Sequence, residues 1–512
     1  MNKKAGAGKL MLTRKESSEE QTKKQVKEEE TKMEKNTSLS TDVRNKLSPV
    51  LNKKVIGIAL GAAVPFVFSF FPTPEPLEPK AWLALGLLVA AVVWIISKAL
   101  RDYQAMIVMC CLLVITKCIT FEMAFAPFGQ SSWWMMFGAL GIGVAAVECG
   151  FMKRVAYLML KAFPASFRGQ CMAYIFSGMV VSPIMPSTTA KGVIMAPLVK
   201  NTSDALGLKA HSKGAQGMFI AMFTGYASLA LMFLSGSAVN ASIVGTLPEG
   251  QGITWGGWFM TLLPWGVVTT LLMMLVIFKF FSPKKGEGGT LSKQGVQDEL
   301  DLMGPWTSKE KITLGVMAAS LACWIFEKQI GVNASVVAVL AFLVLFGMGV
   351  AKPDKIKNLG WEALFFVGAF LCLPTVFKTL GINEFVSGAL GDVVAPIMSN
   401  MFLLVLFICV LTYLIRLFFV SLSGTAILVT TIFLPFCAQY GIHPFVIAAI
   451  TYMATNTWNV NYQNTVTIAS LAANGPEWLT HGDIVKGSFW YMAVNILALM
   501  ASVPFWKLMG MC

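Results

Sequence analysis

The sequence predicts an all-α polytopic membrane protein folded as an inverted repeat, with about 11 transmembrane helices and two re-entrant hairpins. Three observations lead there. The chain of 512 residues is 56% hydrophobic and only 13% charged, with mean hydropathy +0.66. A soluble domain carries roughly 25% charged residues, so these polar side chains cannot clothe a globule of this size in water. Apolar runs long enough to span a bilayer recur from residue 55 to residue 508, and two of them are interrupted by Pro, Ser and Thr. The composition argues against a soluble enzyme, a nucleic-acid binder and a disordered scaffold. The net charge of +13 then mostly records topology.

The elements follow in order. Residues 1–54 hold 14 Lys+Arg, 8 Asp+Glu and no aromatic residue. They read as a disordered, basic cytoplasmic tail. No apolar stretch of a signal peptide follows its first basic residues. Its AGAGKL segment lacks the spacing and the Ser/Thr of a phosphate-binding loop. The first transmembrane half, 55–282, has apolar runs near 55–71, 81–100, 104–121, 132–151, 216–239 and 258–281. Between the fourth and fifth lies a broken run at 170–200, with Pro183, Pro186, Pro197 and the cluster Ser187-Thr188-Thr189. A hydrophilic connector covers 283–311. The second half, 312–512, has runs near 310–327, 333–351, 361–377, 401–420, 444–469 and 486–508. The region 401–437 is too long for one span and too short for two, and Ser421, Ser423 and Gly424 break it. A second re-entrant hairpin is expected at about 414–437.

The halves repeat. Trp134 to Ala139 matches Trp361 to Ala369, and the polar clusters at Ser187 and Ser423 follow at similar offsets. Each cluster precedes an apolar stretch ending in proline, then a long span with a polar break: Ser235 to Asn240, and Asn459 to Thr465. The tail, Arg101, Lys153, Arg154, the 283–311 connector and Lys352 to Lys357 fall on one side, which the positive-inside rule places in the cytoplasm. The first hairpin then enters from the cytoplasm and the second from outside, so the halves are inverted.

Non-helical backbone at membrane depth is tolerated where it lines a cavity, and interrupted spans in both halves mark a transport site. At a hairpin tip the second helix begins. Its first N–H groups lack intrahelical partners and its dipole is positive there. Two such tips, capped by Ser and Thr, form a donor-lined cage that suits carboxylates. Carbonyls freed at the breaks suit Na⁺ or another small cation, with Ser235, Gly236, Asn240, Asn461, Asn464 and Thr465 as the residues concerned. Capping and small-residue packing alone would explain one cluster; two in matching places favour a site. Lys191 follows the first tip by two residues. It either supplies fixed positive charge near the anion in place of sodium, or snorkels to the cytoplasm or pairs with Glu148. Arg416 either helps to hold an anion or, the favoured reading, neutralises the second hairpin. The ten cysteines read as buried thiols, and the three histidines lie too far apart to suggest a zinc site.

The run Pro183 to Gly192 resembles the first Ser-Asn-Thr motif of the divalent anion/sodium symporter (DASS) family, and Ser421 to Ala426 resembles the second. Ser132 to Ala139 and Gly304 to Lys311 extend the resemblance, which covers about 50–510. In character the chain is most similar to the bacterial citrate/succinate, tartrate/succinate and oxoglutarate/malate antiporters. Thr188 and Gly424 stand where the family has Asn, and its Gly-Thr-Pro signature in the broken helices is absent. The expected location is the bacterial cytoplasmic membrane, with the amino terminus placed in the cytoplasm by the basic residues. The resemblance implies a homodimer. It implies a mobile transport domain working as an elevator, and di- or tricarboxylate substrates. It assigns substrate binding to Ser187, Thr188, Thr189, Ser423, Gly424 and Thr425, with Lys191 beside them. Sodium, where it couples, would sit near Ser187, Asn240, Ser423 and Asn464. No cofactor beyond that ion is expected.

The leading expectation is thus a secondary active transporter of di- or tricarboxylates working by anion exchange. Sodium-coupled symport is the first alternative. A membrane-embedded enzyme acting on lipid-linked substrates is the second. Poverty in His and intramembrane carboxylates counts against the enzyme, although Ser187 with Lys191 spells a Ser–Lys pair. A passive anion channel suits inverted hairpins less well than alternating access does.

Overall fold

A computed structural model describes residues 53–284 and 286–512. The basic tail, apart from Lys53 and Lys54, lies outside the described residues. Among the described residues there is no strand. The first block begins with α1 (53–69), α2 (Pro79–Ile96) and α3 (Asp102–Ile115), followed by the short α4 (Phe121–Phe125) and by α5 (Ser131–Glu148). Trp94 fixes α2 on α1 by donating from Nε1 to the carbonyl of Ile58 at 3.0 Å. At Gly150, with φ +76°, the chain turns 67° into α6 (Phe151–Ala162). That helix buries Phe151, Met152, Val155, Ala156 and Leu160 and exposes Lys153 and Lys161, so one face is apolar and the other wet.

Helices α7 (Phe167–Val181) and α8 (Thr188–Ala205) form the first hairpin. Next, α9 (Lys213–Phe223) widens into a π turn at Thr224–Ser228, tightens into 3₁₀ turns up to Gly236 and resumes as α10 (Ala238–Val244). Gly178 of α7 faces Gly225 in the π turn; a Cβ on Gly178 would lie 2.3 Å from the Gly225 carbonyl carbon. Then comes α11 (Trp255–Phe280), followed by α12 (Lys293–Leu302) inside the connector.

The second block contains α13 (Ser308–Ile325), α14 (Glu327–Ile330), α15 (Ala334–Gly347), α16 (Trp361–Phe370), α17 (Leu373–Thr379) and α18 (Ile382–Met398). The second hairpin is α19 (Met401–Arg416) with α20 (Leu422–Cys437). A broken pair follows, α21 (Pro444–Thr455) and α22 (Thr465–Ala472), and α23 (His481–Leu508) ends the fold. Among the described residues, five helical stretches are long and apolar enough to cross a membrane alone: Pro79–Ile96, Lys213–Met232, Trp255–Phe280, Trp361–Thr379 and His481–Leu508.

The pairings repeat between halves. Helix α3 packs on α16 as α15 packs on α5, α2 on α3 as α13 on α15, and α8 on α9 as α20 on α21. Gly138 lets α5 approach α15 closely: a Cβ there would lie 2.6 Å from the Ala338 carbonyl carbon. The hairpins and broken helices of both blocks are bound by α11 and α23. There Trp265 Nε1 donates to Asn495 Oδ1 at 2.8 Å, and the Asn495 amide donates to the Tyr413 hydroxyl at 3.1 Å. Such a satisfied polar chain in a dry interior joins α11, α23 and α19 specifically.

Two junctions join distant segments. Arg154 of α6 binds Glu310 of α13 through Nε–Oε1 at 2.6 Å and Nη2–Oε2 at 3.2 Å. Its Nη1 donates to the Gly304 carbonyl at 2.9 Å, and its guanidinium lies 5.3 Å from the Trp306 ring centre. Thr307 and Glu310 form the capping box that starts α13. Glu327 accepts the N–H groups of Trp255 at 3.1 Å and Ala334 at 3.2 Å, so one carboxylate serves the N-termini of α11 and α15.

The structure moves several expected boundaries. The first hairpin runs 167–205 rather than 170–200. The second begins at Met401 rather than near 414, because the whole region 401–437 forms its two arms. The amphipathic helices α6 and α18 were not expected; neither has an apolar run long enough to register as a span.

Candidate substrate site

Each tip is built by an N-cap. Ser187 accepts the N–H of Ala190 at 3.3 Å and starts α8. Its counterpart is Ser421, which accepts the N–H of Gly424 at 3.2 Å and starts α20 two residues before Ser423. The caps leave the N–H groups of Thr188 and Thr189, and of Leu422 and Ser423, at the open ends of two helix dipoles. Thr425 spends its hydroxyl proton on the Ser421 carbonyl at 2.9 Å, so it firms the tip rather than aiming a donor outward.

Both tips and both broken helices meet at one small cavity. It holds only about 20 Å³ and is lined by Thr188, Leu422, Ser237, Tyr452 and Asn456, among others. The first tip is tied to the first break by three bonds. Ser235 Oγ donates to the Pro183 carbonyl at 2.7 Å, Ala238 N to the Pro186 carbonyl at 2.8 Å, and Lys191 Nζ to the Gly236 carbonyl at 3.0 Å. The ammonium of Lys191 also reaches Ser182 Oγ at 3.1 Å. Lys191 is 0% exposed, so it does not snorkel, and Glu148 is taken by Lys355 at 2.9 Å. No carboxylate forms an ion pair with Lys191 among the described residues.

The second tip is tied to the second break by Arg416, also 0% exposed. Its Nε donates to the Thr455 carbonyl at 3.1 Å, and its Nη atoms to the carbonyls of Phe419, Val420 and Gln463. Gln463 returns a bond from Nε2 to the Arg416 carbonyl at 3.0 Å. Arg416 therefore neutralises backbone carbonyls of the hairpin and the break. The two breaks also touch each other, through Asn456 Nδ2 to Ser228 Oγ at 3.0 Å.

Among the residues expected at the breaks, Asn464 caps α22 through Oδ1, at 3.0 Å to Val466 N and 3.2 Å to Thr467 N. Its amide reaches Asn456 Oδ1 at 3.1 Å. Asn240 donates to the Phe233 carbonyl at 2.6 Å, while its Oδ1 is buried with no partner among the described residues. Asn461 and Thr465 are exposed and make no side-chain hydrogen bond among the described residues, so they stand apart from this network. Sequence reasoning missed Ser182, Asn456 and Gln463, and named Ser421 only as part of the break and the start of the second motif. The signal for Asn456 was present, as an amide in the middle of the apolar run 444–469.

The family description "Sodium:sulfate symporter transmembrane region" matches residues 52–512. The chain is 25% identical over 428 residues to "Inner membrane protein YbhI" of Escherichia coli (strain K12), covering 80% of this chain and 88% of that protein. It is 27% identical over 352 residues to "Putative malate transporter YflS" of Bacillus subtilis (strain 168), covering 67% and 73%. It is 25% identical over 395 residues to the "L-tartrate/succinate antiporter" of Shigella dysenteriae serotype 1 (strain Sd197), covering 71% and 79%. The fold is similar to the crystal structure of the Alcanivorax borkumensis YdaH transporter, with TM-score 0.52 and 13% identity over 90% of this chain and 98% of that one. With the match running through both hairpins and both broken helices, the chain belongs to the sodium:sulfate symporter family, the divalent anion/sodium symporters, and is a membrane transporter rather than an enzyme.

Proposed function

We propose that the protein carries di- or tricarboxylate anions across the bacterial cytoplasmic membrane by exchange. The relatives named for malate and for tartrate and succinate support the substrate class. One observation carries the exchange reading: Lys191 and Arg416 hold the carbonyls of the two broken helices. Those carbonyls are the groups that would otherwise attract a small cation. In this reading a bound anion keeps the buried Lys191 side chain charged, and with the Arg416 guanidinium it compensates the two carboxylate charges beside the tips. A carrier with that charge built in is unfavourable to move empty, so its return step needs a counter-anion.

In this reading the anion sits between the tips and accepts N–H groups from the first turns of α8 and α20, beside the Thr188, Thr189 and Ser423 hydroxyls. About 11 spans, with the halves inverted, place the amino terminus and the connector in the cytoplasm. The hairpins, broken helices, α11 and α23 move as an elevator against α2, α3, α5, α13, α15 and α16, in a homodimer.

Counterflow in proteoliposomes tests this. Labelled succinate or citrate should accumulate only when unlabelled anion is inside, with or without Na⁺. Uptake into empty vesicles that requires an inward Na⁺ gradient would overturn exchange. Symport is the second reading, favoured by the unpartnered Asn240 Oδ1, an acceptor of the kind a sodium ion takes.

A further inference from the structure

A second and much larger cavity lies away from the tips. It measures about 660 Å³, within the range of roughly 300–1,000 Å³ typical of small-molecule sites. It is placed at the end of α11 remote from the connector, beside the 245–254 loop. Thr431 of α20 contributes one wall, Thr375 and Lys378 of α17 and Asn383 of α18 another, and Gln130 and Glu249 complete it. The side chains of Gln130, Thr375, Lys378 and Asn383 make no hydrogen bond with other described residues. No carboxylate stands within ion-pair distance of Lys378 among them.

Unspent amide, hydroxyl and ammonium donors around one cavity are the chemistry that receives a carboxylate. The cavity also borders the helix that carries the second tip. Thr431 follows Ser423 by eight residues on one helix, about 12 Å at 1.5 Å per residue. We propose that this cavity is a second, weaker site for carboxylate anions, where the substrate is captured before it reaches the tips. The proposal rests on the carboxylate reading above. Lys378 supplies the attraction. Glu249 opposes it, which keeps the site shallow enough to release its anion inward.

The experiment is exchange uptake of labelled succinate into succinate-loaded proteoliposomes of zwitterionic lipid, comparing the parent with Lys378→Glu, Lys378→Gln, Lys378→Arg and Glu249→Gln. At low salt, Lys378→Glu should raise KM by about tenfold, and Lys378→Gln by a smaller factor, because each removes a steering charge. The change should fall on KM rather than Vmax. Lys378→Arg should restore the parent KM and Glu249→Gln should lower it. At ~0.5 M salt the differences should shrink to less than about twofold. Parent-like KM in Lys378→Glu and Lys378→Gln, or a loss confined to Vmax, overturns the inference. So does an effect that appears only when anionic lipid is added, since the cavity then holds a lipid headgroup. A parent that carries no carboxylate overturns the underlying reading, and this one with it; a competent parent with indistinguishable variants overturns this one alone.

Discussion

Replacing Glu310 by Gln should destabilise the protein by about 3 kcal/mol. The side chains of Arg154 and Glu310 are only 6% and 2% exposed, so water does not screen the pair. Breaking a buried pair by removing one partner costs about 3–5 kcal/mol, chiefly because the other charge is stranded. Arg154 would keep its bond to the Gly304 carbonyl and its stacking on Trp306, which places the cost at the lower end. Unfolding of the purified protein, followed by tryptophan fluorescence, should show an apparent Tm lower by about 3 °C. Adding Arg154→Met should recover part of the loss, with a coupling of about 2 kcal/mol. The pH dependence has a definite sign. Burial alone would raise the Glu310 carboxyl, but hydrogen bonds from Arg154 and Thr307 outweigh it and hold the group below the usual value of 4.5. The pair's contribution is therefore complete above that value and is lost only as the pH falls through the lower folded value. The gap between parent and Glu310→Gln should be flat from about pH 8 to pH 5 and close in stronger acid. Equal Tm at neutral pH, or strictly additive single losses, would refute the argument.

Three further outcomes are expected. Asn464→Ala removes the cap of α22 and should cost about 1–2 kcal/mol in the same unfolding assay, whereas Asn464→Ser keeps a capping oxygen and should recover roughly half. Lys191→Met should weaken dicarboxylate exchange by at least about tenfold in KM, the scale of one lost interaction with a charge, with a smaller loss of stability because the Gly236 carbonyl and Ser182 hydroxyl lose their partner; unchanged KM would remove Lys191 from the site. Cysteines placed at 286–292 should be labelled only from the cytoplasm, and Cys512 only from outside; cytoplasmic labelling of Cys512 would break the inverted arrangement.

What could be read in the sequence depended on scale. Bilayer-length apolar runs announced α2, α11 and α23. Proline with Ser and Thr inside such runs announced both tips, because a polar break in lipid needs a reason. Helices α6 and α18 stayed hidden because charged residues interrupt α6, and charged, polar and glycine residues interrupt α18, so neither gives an unbroken apolar run. Ser423 was assigned to the substrate by similarity of motif, and which of Ser421 and Ser423 caps α20 was not read; both are serines two residues apart, and only backbone geometry shows that Ser421 is the cap. Lys191 was noticed for its charge, but its acceptors lie nine residues back, at Ser182, and 45 residues on, at Gly236. Pairings over such distances have no local signature.

Gly178 and Gly225 meet backbone to backbone, with no room for a single methyl group between them. The first hairpin is thereby keyed to the interrupted helix it crosses, as a dovetail is keyed to its slot. Such a joint transmits thrust and resists lifting. Whatever displacement carries the first tip must take the π turn of α9 along with it. The hairpin cannot open as a separate flap while that joint holds. A side chain added at either glycine would act as a shim, prising apart two parts that otherwise travel as one.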